Sequence, residues 1–192
     1  MVKGALKERL SFGIEEVASG YGITRASAHV LCSRYVKQGD FIRLKKNFYV
    51  LDRNWEKFRR EDFFRLSNLL QVPSYVSCMT ALAFFGITTQ VQRNVYESVS
   101  MRRSTGAEAR GVSFRYHKVQ PALYFGFTKQ EDFFIAMPEK ALLDAAYLNV
   151  IGRYPVDWSS LDLEALDKTR LTEFLGAFPA RLKKRIAEKC RT

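Results

Sequence analysis

GYGITRASAHVLCSRYVKQGDFIRLKKNFYVL, residues 20–51, decides how this chain is read. Gly20, Tyr21 and Gly22 interrupt one helical pattern, and Thr24 opens another, because a threonine hydroxyl accepts a hydrogen bond from a first-turn N–H. From there Ala28, Leu31, Cys32, Tyr35 and Val36 recur at the i, i+3, i+4, i+7, i+8 spacing of one apolar stripe. Ala26, His29, Ser33 and Lys37 occupy the opposite face, with Arg25 and Arg34 on its flanks. Gly39 supplies the stop, and DFIRLKKNFYVL then reads as two short strands around the basic turn Lys45, Lys46, Asn47.

Working outward toward the N-terminus, residues 3–10 carry a weak helical pattern. IEEVASG, residues 14–20, places Ile14, Val17 and Ala18 at helical spacing with acids in the first turn. Helix, helix, glycine turn, capped helix and basic hairpin is the layout of a winged helix-turn-helix, whose second motif helix enters the major groove. Small Ala26 and Ser27 allow close approach to bases, while Arg25, Arg34 and Lys37 reach phosphates. The same layout serves protein contacts in some domains. A helical domain with an ordinary solvated face is the plainer alternative, and Arg43, Lys45 and Lys46 at the wing favour nucleic acid.

Toward the C-terminus, residues 52–72 predict one connecting helix with Trp55, Phe58, Phe63, Leu66, Leu69 and Leu70 at roughly helical spacing, ended by Pro73. Ser77 reads as the N-cap of CMTALAFFG, which Gly86 stops. Four strands follow: VYESVSM, GVSFRYHKV, ALYFGFT and DFFIAM. In the second, Val112, Phe114 and Tyr116 face one way and Ser113, Arg115 and His117 the other. RRSTGAEARG, residues 102–111, is a loop by composition. Pro138 and Glu139 open PEKALLDAAYLNV as a helix. Two amphipathic helices close the chain, one carrying Leu163, Leu166, Leu171, Phe174 and Leu175, the other Leu182, Ile186 and Cys190. The expected fold class is therefore α+β: a winged helix-turn-helix over residues 1–54, a connecting helix over 55–72, and over 73–192 a small, mostly antiparallel sheet packed with helices.

The 192 residues carry a formal charge of +11 with 47% apolar side chains, enough to bury a core. The excess sits at the ends. Residues 1–51 hold nine basic against four acidic groups, RLKKRIAEKCR at 181–191 holds six against one, and residues 136–180 hold four against seven. Basic termini suit a polyanion, since neutralised phosphates release counterions. The C-terminal cluster also fits a solvated helix face or an acidic partner. Uncharged runs are broken by polar residues, and MVKGALKERL has no apolar signal core, so a cytoplasmic protein without a membrane partner is expected. Cys32, Cys78 and Cys190 are far apart with only His29 and His117 to assist them, which predicts reduced thiols, no metal and no cofactor.

A basic N-terminal winged helix, VPSYVSCMTALAFFGI, a few strands and MPEKALLDAAYL, in that order, resemble the AbiEi-type antitoxins of bacterial type IV toxin-antitoxin systems. The resemblance runs from about residue 10 to the end, and its most specific pieces are Tyr75-Val76-Ser77 and Pro138 through Asp144. It implies a transcriptional repressor that binds inverted repeats in its own promoter, with at least two copies on DNA. It also implies a C-terminal domain that neutralises a nucleotidyltransferase-like toxin, and no enzymatic activity. Carried onto this chain, DNA contact falls on Thr24, Arg25, Ser27, His29, Ser33 and Lys37 in the recognition helix and on Arg43, Lys45 and Lys46 in the wing.

Catalytic alternatives have little to work with. A nucleotidyltransferase needs Gly-Ser followed by paired carboxylates for magnesium; the chain has no Gly-Ser, and Asp162-x-Glu164 lies in an acidic helix start. Glu97 and Glu108 among basic strands are the remaining nuclease candidates, without an acid-x-Lys partner. A transcription factor that senses a ligand between aromatic strands of residues 112–134 is the main competitor.

Overall fold

The computed structural model describes residues 4–90 and 92–189 and is α+β. Its first elements are helices α1 (Gly4–Lys7), α2 (Ile14–Tyr21) and α3 (Arg25–Gln38), then a hairpin of β1 (Phe41–Lys45) and β2 (Phe48–Leu51). Local chemistry sets these limits. Glu16 accepts the Gly13 N–H at 2.9 Å to start α2, and Gly22 ends it in the left-handed region at φ 64°. Thr24 Oγ1 accepts the Ser27 N–H at 3.2 Å, and Gly39 closes α3 at φ 85°.

The hairpin is buried on both faces. Phe41, Tyr49 and Leu51 pack with Phe12, Ile14, Val17, Ala28 and Cys32 against the helices, and Phe12 exchanges backbone hydrogen bonds with Tyr49 at 2.9 and 2.8 Å. Ile42, Leu44 and Val50 face the other way, into a second core with Trp55, Phe63, Leu66, Leu70, Val112, Phe114 and Tyr116. Alternation along a strand accounts for this double use. The expected divisions at residues 54 and 72 therefore run through a shared core.

The connecting helix is broken, contrary to the single helix predicted over residues 52–72. It forms α4 (Asp52–Trp55) and α5 (Arg60–Leu70), with Arg59 extended between them. Asp62 is the cause: its carboxylate accepts the Arg59 N–H at 3.0 Å and so begins a new helix. The break lets Trp55 and Phe58 fold onto Phe63, with ring centroids 5.2 and 5.7 Å away.

A six-stranded sheet follows, of β3 (Ser74–Val76), β4 (Val95–Ser100), β5 (Thr105–Ala109), β6 (Val112–Lys118), β7 (Phe127–Gln130) and β8 (Phe133–Ala136), in the order β5-β6-β4-β3-β8-β7. Pairs β4/β6 and β3/β8 are parallel and the others antiparallel, so the sheet is mixed rather than mostly antiparallel. Residues 105–109, expected as loop, are edge strand β5; an edge strand of Gly, Ala and Glu has no apolar run to betray it. ALYFGFT, residues 122–128, begins in a 3-10 turn (Pro121–Leu123), and its strand starts only at Phe127.

Helices α6 (Cys78–Phe84), α7 (Pro138–Val150), α8 (Lys168–Leu175) and α9 (Ala180–Lys189) complete the structure. Ala141, Leu142, Leu143, Ala145, Ala146 and Leu148 of α7 are all buried, which makes α7 a central helix rather than a surface one. Leu163 and Leu166, expected in the next helix, precede it, because Asp167 caps α8 by accepting the Arg170 N–H at 3.0 Å. Cys190 lies outside the described residues; Cys32 and Cys78 are free and buried. No helix among the described residues is long and apolar enough to cross a membrane.

Candidate nucleic-acid interface

Helix α3 leaves one face open. At about 100° per residue, Ala26, Val30, Ser33 and Lys37 fall within an arc of about 60° opposite the buried Ala28 and Cys32, and all four are exposed. Val30 is 70% exposed. An isolated apolar side chain in the middle of a polar face suits contact with a thymine methyl. Sequence reasoning passed over Val30 in favour of the polar residues beside it. Its place one turn after Ala26 was the available signal.

All nine expected contact residues are exposed, but the structure does not gather them equally. A concavity of about 760 Å³ runs between the N-terminal half of α3 and the hairpin. Arg25, His29, Arg43 and Lys46 line it, together with Ala26, Val30 and Asn47. Asn47 holds the two sides in register: at φ 57° it makes the turn, and its Oδ1 accepts the Ile14 N–H at 2.5 Å. Arg25 Nε lies 2.8 Å from Glu15 Oε1, but both side chains are largely exposed. Such a pair contributes under about 1 kcal/mol and is easily exchanged for phosphate.

The remaining expected contacts have other engagements or positions. Thr24 spends its hydroxyl on the helix cap and on Ser27, 3.0 Å away. Ser33 donates back to the His29 carbonyl at 3.0 Å. Lys37 stands in the last turn of α3, away from the concavity. Lys45 differs most from expectation. The strand register slips between Arg43 and Lys45, and such a slip re-aims a side chain. The Lys45 ammonium donates to the Leu70 carbonyl at 2.5 Å, at the C-terminal end of α5. Burial, and then the charge of Arg102, lowers its pKa. Lys45 thus ties the hairpin to the end of α5, leaving Arg43 and Lys46 as the hairpin's outward cations.

A second polar centre lies deep in the sheet core and joins the two sequence pieces that carried the family resemblance. Tyr75 and Ser77 donate to Asp144 Oδ2 at 3.0 and 2.8 Å, and Lys140 donates to the Tyr75 hydroxyl at 2.9 Å and pairs with Asp144 Oδ1. All four side chains are buried. Ser77 holds the N-cap position of α6 as expected, but its hydroxyl goes to Asp144 rather than to a first-turn N–H. Burial above all, and then the charge of Asp144, hold the Tyr75 phenol protonated. The Lys140 ammonium also sits 5.2 to 5.4 Å from the ring centres of Tyr75, Phe125 and Phe178. Gly126, at φ 69°, leaves it room: a Cβ there would stand 3.0 Å from Lys140 Cγ. These bonds fix strand β3 and the start of α6 against α7.

Glu97 and Glu108 do not meet. Glu97 is buried on β4, accepting from the Tyr154 hydroxyl at 2.6 Å with His117 Nε2 3.7 Å away. Glu108 is exposed on β5, with β6 between the two strands. Among the described residues, no three His, Cys, Asp or Glu side chains come together as metal ligands would.

No protein-family model and no curated protein matches this chain. Among solved structures, it is similar to the crystal structure of the RV2827C protein from Mycobacterium tuberculosis, with a TM-score of 0.63 at 13% identity, covering 97% of this chain and 73% of that one. At that identity the likeness is one of fold.

Proposed function

We propose that this protein is a DNA-binding transcriptional repressor whose N-terminal winged helix reads an operator in its own promoter. We propose further that it serves as the antitoxin to a nucleotidyltransferase-like toxin. The observation that carries the DNA reading is the concavity between α3 and the hairpin, where Arg25, His29, Arg43 and Lys46 surround the exposed face of α3. A recognition helix seated in the major groove would bring Val30 and Ala26 to the bases, while the flanking cations meet phosphates on either side. The antitoxin role rests on the ordered motifs around Tyr75-Val76-Ser77 and Pro138 through Asp144.

A gel shift on the protein's own upstream region tests the first part. Binding should depend on intact inverted repeats and fall steeply with salt; equal binding to a scrambled duplex would remove the operator claim. Coexpression with the neighbouring toxin gene tests the second part. The full chain should restore growth, and the double variant Arg43→Ala/Lys46→Ala should restore it equally while losing repression. Failure of the full chain to protect would leave a repressor with no antitoxin role.

A further inference from the structure

The six cations of residues 181–191 do not form one uniform face. Lys183 donates to the Gly176 carbonyl at 3.0 Å, at the end of α8, and the Lys189 ammonium sits 5.9 Å from the centre of the Trp158 ring. Arg191 lies outside the described residues. Arg181, Lys184 and Arg185, spaced i, i+3, i+4, share another side of α9, against the C-terminal end of α7. There they line a concavity of about 470 Å³ together with Asn149, Val150 and Glu188.

Neither helix stability nor internal pairing accounts for these three cations. Arg181 stands in the first turn of α9, which holds no acid, and the positive end of a helix dipole disfavours a cation there. Among the described residues no carboxylate pairs with Arg181 or Lys184, and Arg185 has only Glu188, 3.7 Å away on its own helix. Apolar surface lies beside them. Val150 is half-buried in the same wall, and Ile151, the next residue, is 39% exposed. Uncovered aliphatic side chains flanked by arginine and lysine have the composition of a protein interface, apolar at the centre and polar at the rim. A phosphate backbone would offer nothing to Ile151 and would be repelled by Glu188.

We propose that this face docks an acidic protein segment, with carboxylates meeting Arg181, Lys184 and Arg185 and an apolar side chain seated on Val150 and Ile151. Charge complementarity sets the sign of the occupant, and the aliphatic floor sets its class. The face is built from α7 and α9 alone, and the DNA concavity shares none of its residues, so either reading can fail without the other.

The probe is a dye-labelled peptide of about twelve residues, glutamate and aspartate around a central Leu-Phe pair, titrated against the full chain by fluorescence anisotropy. Saturable one-site binding that weakens with salt is expected, and a peptide with serines in place of Leu-Phe should bind at least about fivefold more weakly. Arg181→Glu/Lys184→Glu should weaken the peptide at least about tenfold, and Ile151→Ser about threefold or more, whereas Arg43→Ala/Lys46→Ala should leave its affinity unchanged. Acids suit the start of a helix and Ile151 is exposed, so these variants stay folded, which thermal unfolding establishes. Absence of saturable binding to the wild type overturns the proposal and leaves a solvated helix face. An equally tight serine peptide overturns it too, because charge alone would then be recognised, as do α7 and α9 variants that bind with wild-type affinity. So does a mixed-sequence duplex that displaces the peptide better than unlabelled peptide does and is itself lost by Arg181→Glu/Lys184→Glu, since nucleic acid would then be the occupant.

Discussion

Replacing Arg43 and Lys46 together by alanine tests the geometry of the proposed wing. Both line the concavity facing α3, and both are exposed, so the double variant removes charge without opening a core. Each phosphate contact contributes about 0.9 to the slope of log affinity against log salt. Losing two should flatten the slope by about 1.8. If the electrostatic term vanishes near about 1 M salt, the same two contacts are worth roughly 30-fold in affinity, about 2 kcal/mol, at about 0.15 M. Fluorescence anisotropy on a labelled duplex over a salt series reads both quantities. Lys45→Ala is the internal control. Its ammonium is held by the Leu70 carbonyl, so the variant should lose stability and leave the slope unchanged. A double variant with the wild-type slope, beside a Lys45→Ala slope reduced by about one, would show that the neighbouring lysine faces DNA and that the placement of the wing argued above is wrong.

Three further outcomes are expected. Val30→Ala should weaken binding to the operator several-fold while leaving the salt slope and non-specific binding unchanged, because an apolar base contact carries no counterion; a changed slope in the same anisotropy series would exclude that role. Lys140→Ala strands the buried Asp144 carboxylate and should cost about 3–5 kcal/mol in urea unfolding; a loss under about 1 kcal/mol would mean that the cluster does not hold β3 to α7. Burial lifts the Cys32 thiol from 9.0 to about 11. A pKa raised by folding gives stability that is complete below the unfolded value and is lost as pH rises. Denaturation midpoints should therefore fall between pH 9 and 11, and Cys32→Ser should lessen that fall.

How much was legible in the sequence depended on how local the determinant was. Thr24, Gly22 and Gly39 set the ends of α2 and α3 by bonds within a few residues, so caps and stops were readable in order. Alternation along GVSFRYHKV was equally plain: Val112, Phe114 and Tyr116 share one face as read, and that face is buried. Asp62 was a local signal too, but the apolar spacing from Trp55 to Leu70 outweighed it and hid the helix break. The three-residue β3 and the polar edge strand β5 carry no period long enough to register.

For the candidate interface, sequence placed exposed cations on a helix and a hairpin, and those positions are indeed open. It did not distinguish Lys45 from Lys46, because the two differ only through the register slip that aims Lys45 at Leu70, 25 residues away. The resemblance identified Tyr75-Val76-Ser77 and Pro138 through Asp144 as the distinctive pieces, yet nothing in either piece showed that they meet.

The amino-acid sequence by itself thus determined the order of elements, the caps and glycine stops, and the uneven distribution of charge, all of which follow from neighbours within one or two turns. Tertiary structure decided which lysine is held by the end of α5 and which polar residues are buried as one cluster. Those outcomes depend on hydrogen bonds between residues 25 to 69 positions apart, and at such separations only the packed chain brings donor and acceptor together.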